Sequence, residues 1–232
     1  MNSLIIGAGE VGTALYNILR KHYSTLLGNR DVGVEPSFDC VEVIHICFPY
    51  SKDFISDVKD YIEIFRPKYT VIHSTVPVGT SRQCQAFHSP VRGMHPDLER
   101  HLKSFPKYLA PPDKNLKMYF EKAGISIRLV KNPETTEFLK IWDTTQYGTN
   151  IMLEKWAFQF CQENKLDFKT AYTDANQTYN ETYSRLGLKN VVRPVLEHQK
   201  GPVGGHCIIP NCRLLKSPFT NLILKLNKKC VY

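Results

Sequence analysis

The N-terminal stretch of the chain combines a short apolar run with a glycine-rich turn. The run is Ser3–Ile6, and G-A-G-E-V-G follows it directly. From Val11 onward, apolar residues recur at the spacing of a helix. Three glycines placed between a strand and a helix allow a tight turn, beyond which the helix offers unpaired N–H groups to a pyrophosphate. We expect a dinucleotide to contact the backbone of Gly7, Gly9, Glu10, Val11 and Gly12.

The next hundred residues alternate short apolar runs with helical patterns. Strands are predicted near 25–27, 43–47 and 70–73, with a helix over 51–65. Such alternation predicts an α/β fold, a Rossmann-type doubly wound parallel sheet with helices on both faces, over residues 1–132. Further strands are predicted near residues 91–93, 107–110 and 125–130.

The pattern changes at Asn132-Pro133. Apolar residues at helical spacing predict one helix from Glu134 to about Asn164 and another over 168–186. Residues 133–232 therefore form a second, mostly α domain in this interpretation. A thirty-residue helix spans about 45 Å, more than a small domain needs, so we expect it either to link two lobes or to pack against a second copy.

The residues after the second predicted strand bear on the choice of dinucleotide. They read Gly28-Asn29-Arg30-Asp31. A guanidinium at Arg30 suits the 2′-phosphate of NADP, whereas an acidic residue suits the ribose hydroxyls of NAD. Asp31 is one position late for that role, and both cofactors stay open. Three further residues, Pro49, Ser74 and Thr75, are candidates for contact with the dinucleotide.

Composition narrows the class of protein. The chain carries a formal charge of +8 and seven cysteines in irregular spacing. An excess of positive charge can attract nucleic acid, but here the basic residues are spread along the sequence, which disfavours that partner. An anionic small molecule explains the excess charge equally well. No apolar run reaches the roughly 18 residues of a membrane span, and no signal-peptide or zinc pattern is present. We expect a cytoplasmic protein with reduced thiols and no membrane partner.

A second glycine turn occurs late in the chain, in G-P-V-G-G-H-C-I-I-P, residues 201–210. The paired glycines free the backbone to present the sulfur of Cys207, whose thiolate is a candidate nucleophile. Alone, the motif fits a glycine turn before a buried cysteine equally well.

Several motifs together resemble the nucleotide-sugar 6-dehydrogenases, the family that acts on UDP-glucose, UDP-N-acetylmannosamine and GDP-mannose. The resemblance covers nearly the whole chain, but it extends only to the family's first two domains and not to its C-terminal UDP-binding domain. It is carried by the glycine loop 7–12, H-S-T-V-P-V-G-T (73–80), S-P-V-R (89–92), E-F-L-K (137–140) and G-G-H-C (204–207).

The resemblance implies an enzyme that oxidises an alcohol to a carboxylate with two molecules of NAD. Cys207 matches the nucleophile that traps the aldehyde, and Lys140 matches the lysine that stabilises an oxyanion. Thr75 matches a threonine that positions cofactor and water. The resemblance also implies a small anionic substrate and a homodimer formed through the long helix.

Three positions depart from the family pattern. Thr144 replaces an asparagine that assists the oxyanion, Val91 a glutamate that orders the hydrolytic water, and Asn211 an aspartate that acts as a base. Losing a general base costs about 10² to 10⁴ in rate. We therefore expect Thr144 to line the catalytic site and the first hydride transfer to persist more readily than thioester hydrolysis.

Two alternative functions fit the same motifs. One is a non-catalytic dinucleotide-binding protein used in regulation or assembly, which the three substitutions favour. The other is a reductase like the 3-hydroxyacid or 6-phosphogluconate dehydrogenases, which need no cysteine nucleophile. Two histidines complete the polar candidates: His95 follows a predicted strand and suits an acid–base role or a surface loop, and His206 belongs to the G-G-H-C motif.

Overall fold

The computed structural model describes residues 1–29, 40–94, 96–205 and 207–228. The chain divides into two compact units, Met1–Lys140 and Ile141–Tyr232. The long helix that begins at Pro133 contributes its first eight residues to the first unit and the rest to the second.

A parallel sheet with the order β2-β1-β3-β4-β5 forms the first unit. The chain leaves β1 towards one edge of the sheet and then crosses to build β3 to β5 on the other side, so the order reverses at β1. Such a reversal opens a crevice at the carboxyl ends of the strands. The five strands are β1 (Ser3–Ile6), β2 (Thr25–Gly28), β3 (Val43–Ile46), β4 (Tyr69–Ile72) and β5 (Phe87–His88).

A second, two-stranded parallel sheet pairs β6 (Lys107–Leu109) with β7 (Ile127–Leu129). An antiparallel bridge between His88 and Ala110 joins it to β5. The strand predicted at residues 91–93 is wrong, because β5 lies earlier in the chain. Pro90 has no N–H for a ladder, and its carbonyl oxygen accepts a hydrogen bond from the Lys107 ammonium instead.

Helices cover both faces of the main sheet, as the doubly wound prediction requires. Successive residues of β1 point to opposite faces, so Ile5 packs with Leu15 of α1 whereas Leu4 packs with Phe54 of α2. All four side chains are fully buried. The helices of this unit are α1 (Glu10–Leu19), α2 (Phe54–Phe65), α3 (Thr80–Gln83), α4 (Leu98–Ser104) and α5 (Lys114–Lys122).

The second unit is helical. The predicted long helix is confirmed as α6, Pro133–Glu163. The predicted second helix starts as a π-helical turn, Lys169–Asp174, and continues as α7, Ala175–Arg185. Two short helices follow, α8 (Ile208–Leu215) and α9 (Pro218–Asn227), and their buried residues pack on α6 in a small core of Met152, Ile208, Cys212 and Ile223.

Candidate functional site

Two glycines of the N-terminal loop are required by the fold. Gly7 has a φ of +108°, and a β-carbon there would stand 2.7 Å from the backbone nitrogen of Phe48. A β-carbon on Gly12 would stand 1.9 Å from the carbonyl oxygen of Gly7. Any larger residue at either position would therefore separate the turn from the sheet or from its own helix.

Gly9 differs from its two neighbours. Its φ of −73° is open to any residue, and a β-carbon there would meet no atom within 4 Å. Neither backbone strain nor packing explains a glycine at this position. Open space against bare backbone is what a phosphate group needs for close approach.

The N-terminus of α1 starts at this open position. Gly9 is the N-cap and provides no side-chain hydrogen bond to the first turn. The first N–H groups of a helix have no partner within it, and the helix dipole favours an anion there. The carboxylate of Glu10 lies in the same turn and opposes an anion, while Val11 packs on the core.

The loops after β3 and β4 are tied to each other beside this turn. The Ser74 hydroxyl donates to the carbonyl oxygen of Phe48 over 2.6 Å. Pro49 is exposed and Thr75 is half-buried. Gly7, Pro49, Ser74 and Thr75 thus occupy one edge of the sheet. Asn29, after β2, is exposed, and Arg30 lies outside the described residues.

A buried carboxylate connects this edge to α6. Glu137 accepts hydrogen bonds from the backbone N–H groups of Gly79, over 2.6 Å, and Ser81, over 2.7 Å. Burial raises the pKa of Glu137. Lys140, one helical turn further on, is half-buried and lies near enough to Lys107 to help lower the pKa of that buried amine.

A chain of buried polar groups crosses the first unit and was not singled out in the sequence. His73 Nδ1 lies 2.8 Å from the carbonyl oxygen of Ser89, so this nitrogen donates and Nε2 accepts. His45 Nδ1, 2.9 Å away, must then donate to His73. Consequently His45 Nε2 accepts from the Tyr119 hydroxyl over 3.0 Å, and Tyr119 accepts from Ser3 over 2.6 Å.

This pattern of donors and acceptors is that of neutral histidines, the state that burial favours. It lowers the pKa of His45 to about 3, that of His88 to about 3, and that of His73 well below the ordinary value. Burial also lowers the pKa of Lys107 to about 7 and raises that of Cys47 to about 12. His88 Nε2 lies 3.3 Å from the carbonyl oxygen of Ser74, in the loop after β4.

In the second unit, Cys207 is exposed and immediately precedes α8. Gly205 has a φ of +79°, a conformation that favours glycine, whereas a β-carbon on Gly204 would meet nothing within 4 Å. The carbonyl oxygen of Cys207 accepts from the N–H of Asn211 over 3.1 Å. The amide of Asn211 in turn donates to the Thr144 hydroxyl over 3.0 Å. Asn211 therefore joins Thr144 to the backbone of Cys207.

The fold around these residues is shared with solved dehydrogenase structures. The UDP-glucose dehydrogenase of the hyperthermophilic archaeon Pyrobaculum islandicum matches with a TM-score of 0.72 and 15% identity, over 99% of this chain and 68% of its own. The 3-hydroxyisobutyrate dehydrogenase of Mycobacterium tuberculosis matches with a TM-score of 0.67 and 12% identity, over 99% and 93%. The NDP-N-acetyl-D-galactosaminuronic acid dehydrogenase of Methanosarcina mazei matches with a TM-score of 0.63 and 12% identity, over 98% and 66%.

These likenesses establish the Rossmann-type fold. No model of a protein family and no curated protein matches the chain in sequence. The chain spans about two thirds of the two sugar-nucleotide enzymes and nearly all of the 3-hydroxyisobutyrate dehydrogenase.

Two further properties concern the described part of the chain. No helix within it is both long and apolar enough to cross a membrane. Nor do the histidine, cysteine, aspartate and glutamate side chains of those residues form a group of three or more that suits a metal ion. His95 and His206 lie outside the described residues.

Proposed function

We propose that this protein is an NAD(P)-dependent oxidoreductase that oxidises an alcohol group of a sugar-type anionic substrate. The observation that carries the proposal is Gly9, a glycine that the fold does not require, at the uncapped N-terminus of α1. The reversal of strand order beside it supports a ligand at the same edge. The dehydrogenases that share the fold support the class of reaction.

The loop residues fit a nicotinamide dinucleotide. Its pyrophosphate would lie on the N-terminus of α1, over the backbone of Gly7 to Gly12. Pro49, Ser74 and Thr75 would lie beside the nicotinamide half, and Asn29 with Arg30 would face the adenosine ribose. A pyrophosphate at Gly9 has to tolerate the carboxylate of Glu10. The extra phosphate of NADP is on the adenosine ribose instead, where Arg30 would pair with it.

The bound cofactor would accept a hydride from the alcohol carbon. Lys140 would stabilise the alkoxide that forms as the hydroxyl loses its proton. Cys207 would then add its thiolate to the aldehyde carbon to give a thiohemiacetal, with Thr144 beside it. Thr75 would hold the cofactor in position for the transfer.

The Thr144–Asn211 hydrogen bond favours a reaction that stops at the first oxidation. The two side chains are in contact at the positions where the sugar-nucleotide enzymes that the chain resembles use an asparagine and an aspartate. The same bond favours a second candidate, a protein that binds the dinucleotide without catalysis. A third candidate, a 3-hydroxyacid dehydrogenase, is favoured by coverage, since this chain spans 93% of the 3-hydroxyisobutyrate enzyme.

We propose a homodimer formed through α6. Leu153, Trp156 and Phe160 are 58%, 62% and 47% exposed and, spaced three and four residues apart, lie on one face of the helix. An apolar face of this kind is typical of a protein interface. Trp156→Glu should convert the dimer to a monomer in sedimentation experiments, whereas Leu166→Glu, at an exposed position past the helix, should not.

Titration with NAD and NADP, followed by a substrate panel, separates the three candidates. The panel contains UDP- and GDP-sugars and 3-hydroxyacids, and the readout is absorbance of the reduced nicotinamide. Turnover of a sugar nucleotide supports the main proposal. Turnover of a 3-hydroxyacid alone contradicts it and supports a 3-hydroxyacid dehydrogenase. Binding without any turnover supports the non-catalytic protein, and no binding of either dinucleotide overturns all three.

A further inference from the structure

The irregular segment 189–205, here called the strap, leads from α7 to the turn that carries Cys207. Lys155 of α6 is only 7% exposed and donates to two carbonyl oxygens of the strap, those of Gln199 and Gly201, the second over 2.7 Å. Burying an ammonium group is costly unless hydrogen bonds replace those to water. The strap has carbonyl groups without helix or strand partners, and Lys155 supplies donors to two of them.

Asn227 of α9 holds the strap two residues further on. Its Oδ1 accepts from the N–H of Val203 over 2.6 Å, and its Nδ2 donates to the carbonyl oxygen of the same residue over 3.2 Å. This pairing fixes the two peptide groups on either side of Val203. A side-chain amide used in this way replaces the pairing that a neighbouring strand would provide.

The far end of the turn is fixed by packing. Ile208, the residue after Cys207, is buried against Gly148 of α6, where an added β-carbon would stand 2.6 Å from its Cγ2. Four residues therefore separate the anchored peptide of Val203 from the anchored side chain of Ile208. The upstream half of the strap is held as well, by Glu154, whose carboxylate lies 2.8 Å from His198 Nδ1.

We propose that Lys155 and Asn227 are positioning residues for Cys207: they fix the strap at Gly201 and Val203 and so set the orientation in which the thiol is presented. The importance of that orientation rests on the proposed role of Cys207 as a nucleophile. The anchoring of the strap does not depend on that role, because every anchor is a contact within the second unit.

Alkylation by iodoacetamide, followed by mass spectrometry, tests the proposal without substrate or cofactor. The tryptic peptide of residues 201–213 contains both Cys207, which is exposed, and Cys212, which is fully buried. The reference is a synthetic peptide of the same sequence with Ser in place of Cys212. We expect the rate constant for Cys207 in the native protein to differ from that of the peptide by about threefold or more.

Lys155→Met and Asn227→Ala should bring the rate constant and pH profile of Cys207 to those of the peptide, while Cys212 stays protected. Lys155→Arg keeps the charge and the donors and should restore the native rate. Lys169→Met and Asn221→Ala, at exposed positions of the same unit, are the matched controls.

Three results would overturn the positioning role: a native rate equal to that of the peptide, an unchanged rate in both variants, or labelling of Cys212 in parallel with Cys207, which indicates general loosening. A wild-type protein without dehydrogenase activity would overturn the proposed function and leave these rates fully interpretable.

Discussion

The side-chain amide of Asn211 donates a hydrogen bond to the hydroxyl of Thr144 over 3.0 Å. These are two of the three positions at which the chain departs from the sugar-nucleotide enzymes it resembles. The replacements pair with each other, and Asn211 is 95% buried, with a relative exposure of 5%. The Thr144 hydroxyl also donates to the carbonyl oxygen of Ile141 over 2.9 Å, so it accepts from one residue and donates to another.

We predict that Asn211→Ala lowers the free energy of unfolding by about 1 to 2 kcal/mol, since it removes a buried amide and leaves the half-buried Thr144 hydroxyl with one partner fewer. Thr144→Val should have a similar effect. The double variant should cost less than the sum of the two by about 1 kcal/mol, the coupling of a direct contact. Urea unfolding measures all three. Strict additivity would show that the two side chains act independently, and Asn221→Ala, exposed on α9, is the control.

Gly148 is the next test of packing around α8. Alanine in a helix interior is favoured over glycine by about 1 kcal/mol, but overpacking a core contact costs about 1 to 3 kcal/mol. A β-carbon at position 148 would stand 2.6 Å from Ile208 Cγ2, a branched methyl that cannot swing away freely. We predict that Gly148→Ala destabilises the protein. In a protein that already carries Ile208→Ala, adding Gly148→Ala should cause no further loss of stability. A more stable single variant in thermal unfolding would refute this contact.

The sequence was sufficient for the parts of the fold in which apolar patterns repeat. The glycine loop, the strands from Ser3 to Ile72 and the long helix all follow from short apolar runs or helical spacing. The strand predicted at residues 91–93 was wrong because Pro90 and its hydrogen bond with the buried Lys107, rather than hydrophobicity, determine the local backbone. The position of the strap could not be predicted from the sequence, since the strap is held by side chain–backbone hydrogen bonds between residues up to 46 positions apart.

The three buried histidines can be recognised from their positions in the sequence. His45, His73 and His88 lie in or directly after three successive strands, within the apolar runs V-I-H-I and V-I-H-S and the pair F-H. A histidine at such a position has to be buried, and a buried histidine needs partners. His95 and His206, the two histidines predicted as polar candidates, belong instead to the glycine-containing motifs G-M-H-P and G-G-H-C. Partner identity, such as Tyr119 for His45, still required the structure.

These histidines predict sensitivity to acid. Their pKa values are lowered in the folded protein, to about 3 for His45 and His88, from an ordinary 6.5. The unfolded chain therefore binds more protons between those values, so stability is full above pH 6.5 and falls as the pH drops towards 3. Each histidine contributes a slope of about 1.4 kcal/mol per pH unit in that window. His45→Gln should reduce the slope, and His22→Gln, at an exposed position, should leave it unchanged.

The two kinds of glycine in the N-terminal loop should separate folding from binding. Gly9→Ala places a methyl group in open space, so we expect a thermal midpoint close to that of the wild type and dinucleotide affinity reduced about tenfold or more. Gly12→Ala forces a β-carbon to 1.9 Å from the Gly7 oxygen and should destabilise the first unit. Calorimetric titration measures the affinity. An unchanged affinity in Gly9→Ala would remove the loop as the pyrophosphate site.

The stoichiometry of cofactor reduction tests how far the proposed reaction proceeds. If an alcohol substrate is found, we expect about one reduced nicotinamide per substrate molecule and release of the aldehyde. In the family that the chain resembles, Thr144 stands where an asparagine assists the oxyanion and Asn211 where an aspartate acts as a base, and a missing base costs about 10² to 10⁴ in rate. Restoring both groups in the variant Thr144→Asn with Asn211→Asp should raise the ratio towards two. Adding Cys207→Ser to that variant should return it to one, because the second oxidation requires the thiohemiacetal. A wild-type ratio of two would show that other residues supply the base, and that the Thr144–Asn211 pair does not stop the reaction.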